Sequence, residues 1–163
     1  PSLEWAGTYV LTLRTRASLP FPVQGLSARA VQSGFGVDRD AGRRQHEGID
    51  IFAPRGTPVL AVVSGLAQPS TNGLGGTVVW LHEPDARRTF YYAHLERQAF
   101  TEPRRVAVGD VLGYVGNTGN ARTTAPHLHF GVYDDGPRDP LPYVQPDDVV
   151  PPLPRLPPTV ATQ

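Results

Sequence analysis

Past residue 33, apolar residues do not sustain the i, i+3, i+4, i+7 spacing of an amphipathic helix. Short β-prone runs take its place at Thr57–Val63, Gly76–Leu81, Thr89–Ala93, Asp110–Val115 and His127–Val132. Turn signals separate them at Ser64-Gly65, Asn72-Gly73, Glu83-Pro84-Asp85, Gly116-Asn117 and Gly119-Asn120. Residues 33–133 therefore read as a mainly β, antiparallel domain of several short strands. The 17 glycines and 18 prolines point the same way. Ahead of this region, Thr8–Leu13 offers one strand, and Leu19-Pro20-Phe21-Pro22 reads as an extended lead-in. Behind it, residues 137–163 carry nine prolines and read as an extended, poorly packed tail. The expected division is an N-terminal extension over 1–20 (the end of a preceding segment or domain), one domain over 21–136, and a Pro-rich tail over 137–163.

Composition narrows the function classes. A chain of 163 residues can hold one core without covalent staples. No run reaches the roughly 18 apolar residues of a membrane helix, and the chain starts at Pro1, so a leader or anchor is not visible in it. Fifteen basic and 15 acidic residues balance, whereas a field-driven nucleic-acid binder carries a basic excess. Every basic residue is Arg. Cysteine is absent, which removes disulfides, thiolate zinc sites and Cys nucleophiles together.

The chemistry gathers at histidine. Three of the five histidines fall in two short motifs, His46-Glu47-Gly48-Ile49-Asp50 and His127-Leu128-His129, and His94 lies between them in Tyr92-Ala93-His94-Leu95. Zinc takes His nitrogen and carboxylate oxygen, and a catalytic zinc keeps three protein ligands plus a water. Side chains alternate along a strand, so His127 and His129 share a face. His46 and Asp50, four apart, share a face on a strand or extended loop and equally on a helix. Gly48, β-branched Ile49 and Ile51, and Pro54 argue against the helix. The motif is therefore not a variant of the helical His-Glu-x-x-His site, in which Glu47 would be the general base. Taken alone, each half also fits a blander reading, a surface His with a turn-capping Asp and a pair of hydrogen-bonded histidines at the core edge.

The surroundings carry a family resemblance. Ser33-Gly34-Phe35-Gly36 leads to His46-Glu47-Gly48-Ile49-Asp50-Ile51-Phe52-Ala53-Pro54-Arg55-Gly56-Thr57-Pro58-Val59. Then follow Ala61-Val62-Val63-Ser64-Gly65, Tyr92-Ala93-His94-Leu95, Val108-Gly109-Asp110, Gly116-Asn117-Thr118-Gly119-Asn120 and Pro126-His127-Leu128-His129-Phe130. This series, over about residues 20–134, closely resembles the lysostaphin-type (LytM-like) zinc metallopeptidases that cut peptidoglycan peptides. The resemblance implies an antiparallel β-sheet with a groove over it and one Zn2+ per chain. It implies His46, Asp50 and His129 as zinc ligands and His127 and His94 as catalytic histidines that do not ligate. It also implies a peptidoglycan peptide as substrate and a bacterial envelope location, periplasmic or secreted, where partner proteins of the envelope are available. Zinc brings the pKa of a bound water from 15.7 toward about 7, and an imidazole suits general-base work at that pH.

Other residues are weighed beside these. Gly113, Gly116 and Gly119 allow turns with positive φ and close approach to an extended peptide. Asn117 and Asn120 suit left-handed turns, with substrate contact by Asn117 as the sharper reading. Tyr91, Tyr92 and Trp80 read as core or groove-wall aromatics. Some relatives that cut polyglycine carry a tyrosine shortly before the first zinc histidine. Residues 36–45 have none, but they carry Arg39, Arg43 and Arg44, one of which can bind a substrate carboxylate or oxyanion. That departure points to a D-Ala–diaminopimelate cross-link. The competing readings are a non-catalytic or latent LytM-like module that regulates another wall hydrolase, and a structural zinc protein. The first normally lacks ligands, and the second lacks a fourth ligand here, since His82 reads as a surface residue.

Overall fold

The computed structural model describes residues 18–39, 41–84 and 86–145. Its strands are β1 (Val31–Ser33), β2 (Asp38–Arg39), β3 (Arg44–Gln45), β4 (Ile49–Phe52), β5 (Pro58–Leu60), β6 (Gly65–Asn72), β7 (Gly76–His82), β8 (Thr89–Gln98), β9 (Arg104–Val106), β10 (Val111–Val115), β11 (His127–Tyr133) and β12 (Pro137–Arg138). Among the described residues, helical structure is confined to single turns, including α1 (Leu141–Val144). Ten strands form one antiparallel sheet with the path β1-β4-β11-β8-β7-β6-β9. Strand β10 pairs with both β5 and β8, β12 pairs with β11, and β2 and β3 make a separate hairpin.

The mainly β, antiparallel expectation is met, and the strands follow the sequence pattern with one informative addition. The Gly65–Asn72 stretch lies between two anticipated turns yet offers Pro69 and a polar run. It forms β6 nonetheless, burying Gly65 and Ala67 on alternate positions. Only Gly65–Ala67 pair with β9. Pro69 therefore sits where β6 has become an edge, the place in a sheet that tolerates a missing N–H.

Strands β4, β11 and β8 lie side by side and separate the core from the cleft. Ile49, Ile51, Leu128, Phe130, Phe90 and Tyr92 turn inward and are fully buried. Burial of such side chains contributes about 1.5–3 kcal/mol each. Tyr92 keeps its hydroxyl satisfied in this core by accepting the Val62 N–H at 3.2 Å. The register sets His129 beside Asp50 on one flank and Ala93 on the other. The opposite face of the same three strands thus carries the candidate chemistry.

The ends differ from expectation. Residues 137–145 are not the start of a loose tail: β12 pairs with β11, Val144 is buried, and Leu141 and Tyr143 pack on the core. Leu19, assigned by sequence to the N-terminal extension, is buried too, and its N–H donates to the Tyr143 carbonyl at 3.0 Å. Apolar residues spaced among the prolines bring this segment back to the domain, which proline content alone does not reveal. The Thr8–Leu13 strand and the rest of the tail, residues 146–163, lie outside the described residues. Among those described, no helix is long and apolar enough to cross a membrane.

Candidate metal centre

Three donor atoms converge above the β4–β11 pair. His46 Nε2 lies 3.0 Å from Asp50 Oδ1 and 2.9 Å from His129 Nδ1, and the third side of the triangle, His129 Nδ1 to Asp50 Oδ1, is 3.1 Å. Ligand atoms about 2.0–2.1 Å from a tetrahedral zinc stand roughly 3.3 Å apart, so the set is close to the spacing zinc asks for. The chemistry fits as well. The His46 Nδ1–H donates to the Gly34 carbonyl at 2.7 Å, which fixes the tautomer and leaves Nε2 with a lone pair. Two imidazole nitrogens and a carboxylate oxygen then face a common point, an arrangement a cation satisfies. His46 and Asp50 are buried and His129 nearly so.

Electrostatics agree with this arrangement. Burial alone would raise the Asp50 carboxyl, but hydrogen bonds and charge from His129 and His46 outweigh it and hold it well below the usual carboxylate range. Asp50 is therefore an anion at any working pH. Burial pushes the His129 imidazole down, against the opposing pull of Asp50.

Local structure explains the convergence. Asp50 lies on β4 directly opposite His129 on β11. His46 precedes β4 and is tied by its backbone, its N–H donating to the Val37 carbonyl and its carbonyl accepting the Gly36 N–H. Gly48 lets the loop between them press against β11. A Cβ there would stand 2.5 Å from the Phe130 carbonyl oxygen and 2.8 Å from the His129 ring.

Two further histidines complete the cleft. The His127 Nδ1–H donates to the Ala125 carbonyl at 2.9 Å, and the ring stacks on Phe52 with centroids 5.0 Å apart. The His94 Nδ1–H donates to the Thr118 carbonyl at 2.9 Å. Each ring is left with Nε2 free, and the two rings meet edge to face at 5.0 Å. Burial, then the neighbouring His127 and His129, push the His94 imidazole down to about 4, so it is neutral at pH 7.

His94 reaches this place through a bulge. Thr77 pairs with Leu95 but Val79 with Tyr92, so β8 carries one extra residue there. His94 itself adopts a left-handed backbone, φ 62°. Strict alternation from buried Tyr92 would send His94 into the core and Leu95 into the cleft. The bulge reverses this: Leu95 is fully buried, and His94 lines the cleft. Left-handed backbone at a non-Gly residue costs on the order of 1–3 kcal/mol and concentrates at functional sites.

The cleft is open, with a volume of about 790 Å3. Arg43 and Arg44 line it from the β2–β3 hairpin, with Glu47, Tyr91 and Tyr133 nearby. Arg39 also borders it, and its Nη2 donates to Asp50 Oδ2 and Ser33 Oγ. Asn117 does not line the cleft. Its amide accepts from Arg55 and donates to the Arg122 and Thr124 carbonyls, holding the 117–124 loop. Neither Asn117 nor Asn120 is left-handed; among Gly113, Gly116 and Gly119, only Gly119 has positive φ, 67°. Gly116 is needed for a different reason, since a Cβ there would meet the Glu96 backbone.

With this geometry in hand, comparison with known proteins is decisive. The model for peptidase family M23 matches residues 44–140. The chain belongs to peptidase family M23. The L-Ala–D-Glu endopeptidase of Bacillus subtilis is 36% identical over 126 residues, covering 69% of this chain and 36% of that protein. Among solved M23-like structures, the catalytic domain of the antimicrobial peptidase lysostaphin from Staphylococcus simulans superposes with a TM-score of 0.60. It shares 31% identity and covers 68% of this chain and 88% of that one. A zinc-containing peptidase from Vibrio cholerae gives a TM-score of 0.64 at 26% identity, covering 77% of this chain and 39% of its own. The chain spans between a fifth and about a third of the length of the curated relatives it matches.

The M23 cleft also contains Tyr91, read from the sequence as a core or groove-wall aromatic, and Tyr133, which the sequence reading did not single out. Tyr133 donates its hydroxyl to Glu47 at 3.2 Å. Tyr91 accepts Asn72 Nδ2 at 3.0 Å and packs edge-on to His129. Burial raises both phenols, so each remains a proton donor. Their one sequence signal is period two: Tyr91 and Ala93, like His127, His129 and Tyr133, fall on a single face.

Proposed function

We propose that this M23 chain is a zinc-dependent endopeptidase that hydrolyses peptide bonds in the cross-links or stem peptides of bacterial peptidoglycan. One observation carries the reading: three metal-competent donors and two carbonyl-anchored imidazoles share one open cleft. His46 Nε2, Asp50 Oδ1 and His129 Nδ1 would hold the metal. Bound zinc supplies Lewis acidity, polarising a scissile carbonyl and making water nucleophilic near neutral pH.

The protein's own groups do the rest. His127, with Nδ1–H fixed on Ala125, takes a proton from the attacking water at Nε2 and returns it to the departing amine. His94 offers an acceptor nitrogen in the same way, which favours orienting the water. Stabilising an oxyanion would require a proton on that nitrogen. Arg43 and Arg44 place guanidinium groups on the cleft wall, where a stem-peptide carboxylate meets bidentate donors. Asn117 contributes by holding the 117–124 loop, not by touching substrate. The working place of such an enzyme is the bacterial envelope, periplasmic or secreted.

The deciding experiment pairs elemental analysis of bound zinc with digestion of purified cross-linked peptidoglycan and mass spectrometry of the fragments. One zinc per chain with released peptides supports the reading and identifies the bond. Zinc without cleavage would favour a regulatory module, and a metal-free, inactive protein would overturn the metallopeptidase.

A further inference from the structure

Asp50 divides its two carboxylate oxygens between different partners. Oδ1 faces His46 Nε2 and His129 Nδ1 at 3.0 and 3.1 Å. Oδ2 accepts a hydrogen bond from Arg39 Nη2 at 2.7 Å. The same nitrogen donates to Ser33 Oγ at 2.8 Å, and Ser33 is the residue opposite Asp50 in the β1–β4 register. The Arg39 side chain is one-third exposed (33%) and that of Asp50 largely buried (12%), so the contact is partly shielded from water.

We propose that Arg39 is a positioning residue of the metal centre, holding Asp50 to ligation through Oδ1 alone and thereby setting zinc affinity. The inference rests on the metal-centre reading and extends it to a residue outside the set of converging donors. Two effects of the guanidinium compete. Its charge repels a nearby dication and weakens binding. Its hydrogen bond fixes the carboxylate rotamer and occupies the oxygen that would otherwise swing in, so the ordering is done before metal arrives. Partners of this kind typically change metal affinity ten- to a hundredfold in the favourable direction, so positioning outweighs repulsion. The attachment has a second result. Arg39 lies on the hairpin that carries Arg43 and Arg44, so one contact fastens the cleft wall to a metal ligand.

The test is zinc affinity of the full chain, measured by competition with a chromophoric chelator, together with the visible spectrum of the cobalt(II)-substituted protein. Arg39→Ala is expected to bind zinc about ten- to a hundredfold more weakly. Its cobalt bands should weaken and shift as the second Asp50 oxygen becomes available. Arg39→Gln keeps a donor without the charge, and should stay nearer to wild type with little spectral change. Ser33→Ala, which removes the other acceptor but leaves Asp50 engaged, should scarcely alter either readout. If Arg39→Ala does not fold, Arg39→Lys replaces it, with weakened zinc binding and an altered cobalt spectrum expected. Wild-type affinity and an unchanged cobalt spectrum in the Ala or Lys variant would overturn the proposal and leave Arg39 as a hairpin staple. Absence of zinc binding by the wild-type protein would instead remove the metal centre itself, and the proposal with it.

Discussion

His127 and His129 stand two apart on one face of one strand, yet only His129 Nδ1 lies among the converging donors. The difference is testable by separation of functions. Asp50→Ala is expected to lose zinc and hydrolysis together. His127→Ala should keep zinc, measured by elemental analysis, while turnover on purified peptidoglycan falls by about 10²–10⁴. The opposite result, an empty site in His127→Ala and a full one in His129→Ala, would exchange the two assignments. His94 adds a pH signature to the metal-free protein. It binds its proton more weakly folded, at about 4, than unfolded, at 6.5. Between those values the unfolded chain holds more protons, so stability falls as pH falls through the window. The loss is at most about 3 kcal/mol at the acid end. Thermal melts at pH 7, 5.5 and 4 should show it, and His94→Asn should shrink it. Asp50, whose carboxyl is depressed in the fold, adds its own loss only as pH drops below its unfolded value of 3.8. His46, Asp50, His127 and His129 could be nominated from sequence because their spacing is even, and the fold brings all four to one cleft. Asn117 shows the limit of such reading, because a turn asparagine looks the same in sequence whether it faces substrate or, as its hydrogen bonds have it, its own loop.

At the scale of elements, the five strands anticipated from alternation all form, with bounds shifted by a few residues. The misses share one cause: they depend on contacts distant in sequence. Strand β6 exists because β7 pairs along its whole length, which overrides Pro69. The bulge at His94 cannot be read from a period-two count, since the count runs straight through it. Arg39 is 11 residues from Asp50, and nothing in the intervening loop announces that they meet. Gly48 offers a prediction at this scale. Its backbone is not left-handed, so the demand for glycine is steric, from the Phe130 carbonyl and the His129 ring. Gly48→Ala should destabilise the domain by about 1–3 kcal/mol or more, as overpacking does. Because the obstructing ring is His129, zinc affinity should fall with it. Melting curves and a zinc titration on the same preparation check both.

For the whole molecule, a metal held at this site would be linked to the fold. A site formed only in the native state stabilises by about 2.7 kcal/mol when free zinc is a hundred times its dissociation constant. In a domain of this size that raises the melting temperature by roughly 5–10 °C. A chelator should reverse the shift and abolish hydrolysis, with calorimetry and peptide release as the readouts. The domain limits also carry a prediction. A fragment cut at 21–136, the boundary that proline content suggests, lacks Leu19 and Val144, both buried. It should be less stable than 18–145 by about 1.5–3 kcal/mol for each side chain lost, as measured by urea unfolding.

The hydrogen bond from Leu19 to Tyr143 has a further consequence. It brings the two ends of the domain side by side, so the polypeptide enters and leaves at one spot on the surface. A unit whose ends meet in this way tolerates circular permutation and insertion into another chain. It can be spliced whole into a loop of a host protein without prising the host apart. It can equally be rejoined across Leu19 and Gln145 by a short linker and reopened in the 83–88 turn, with the face that carries His46, Asp50 and His129 kept intact.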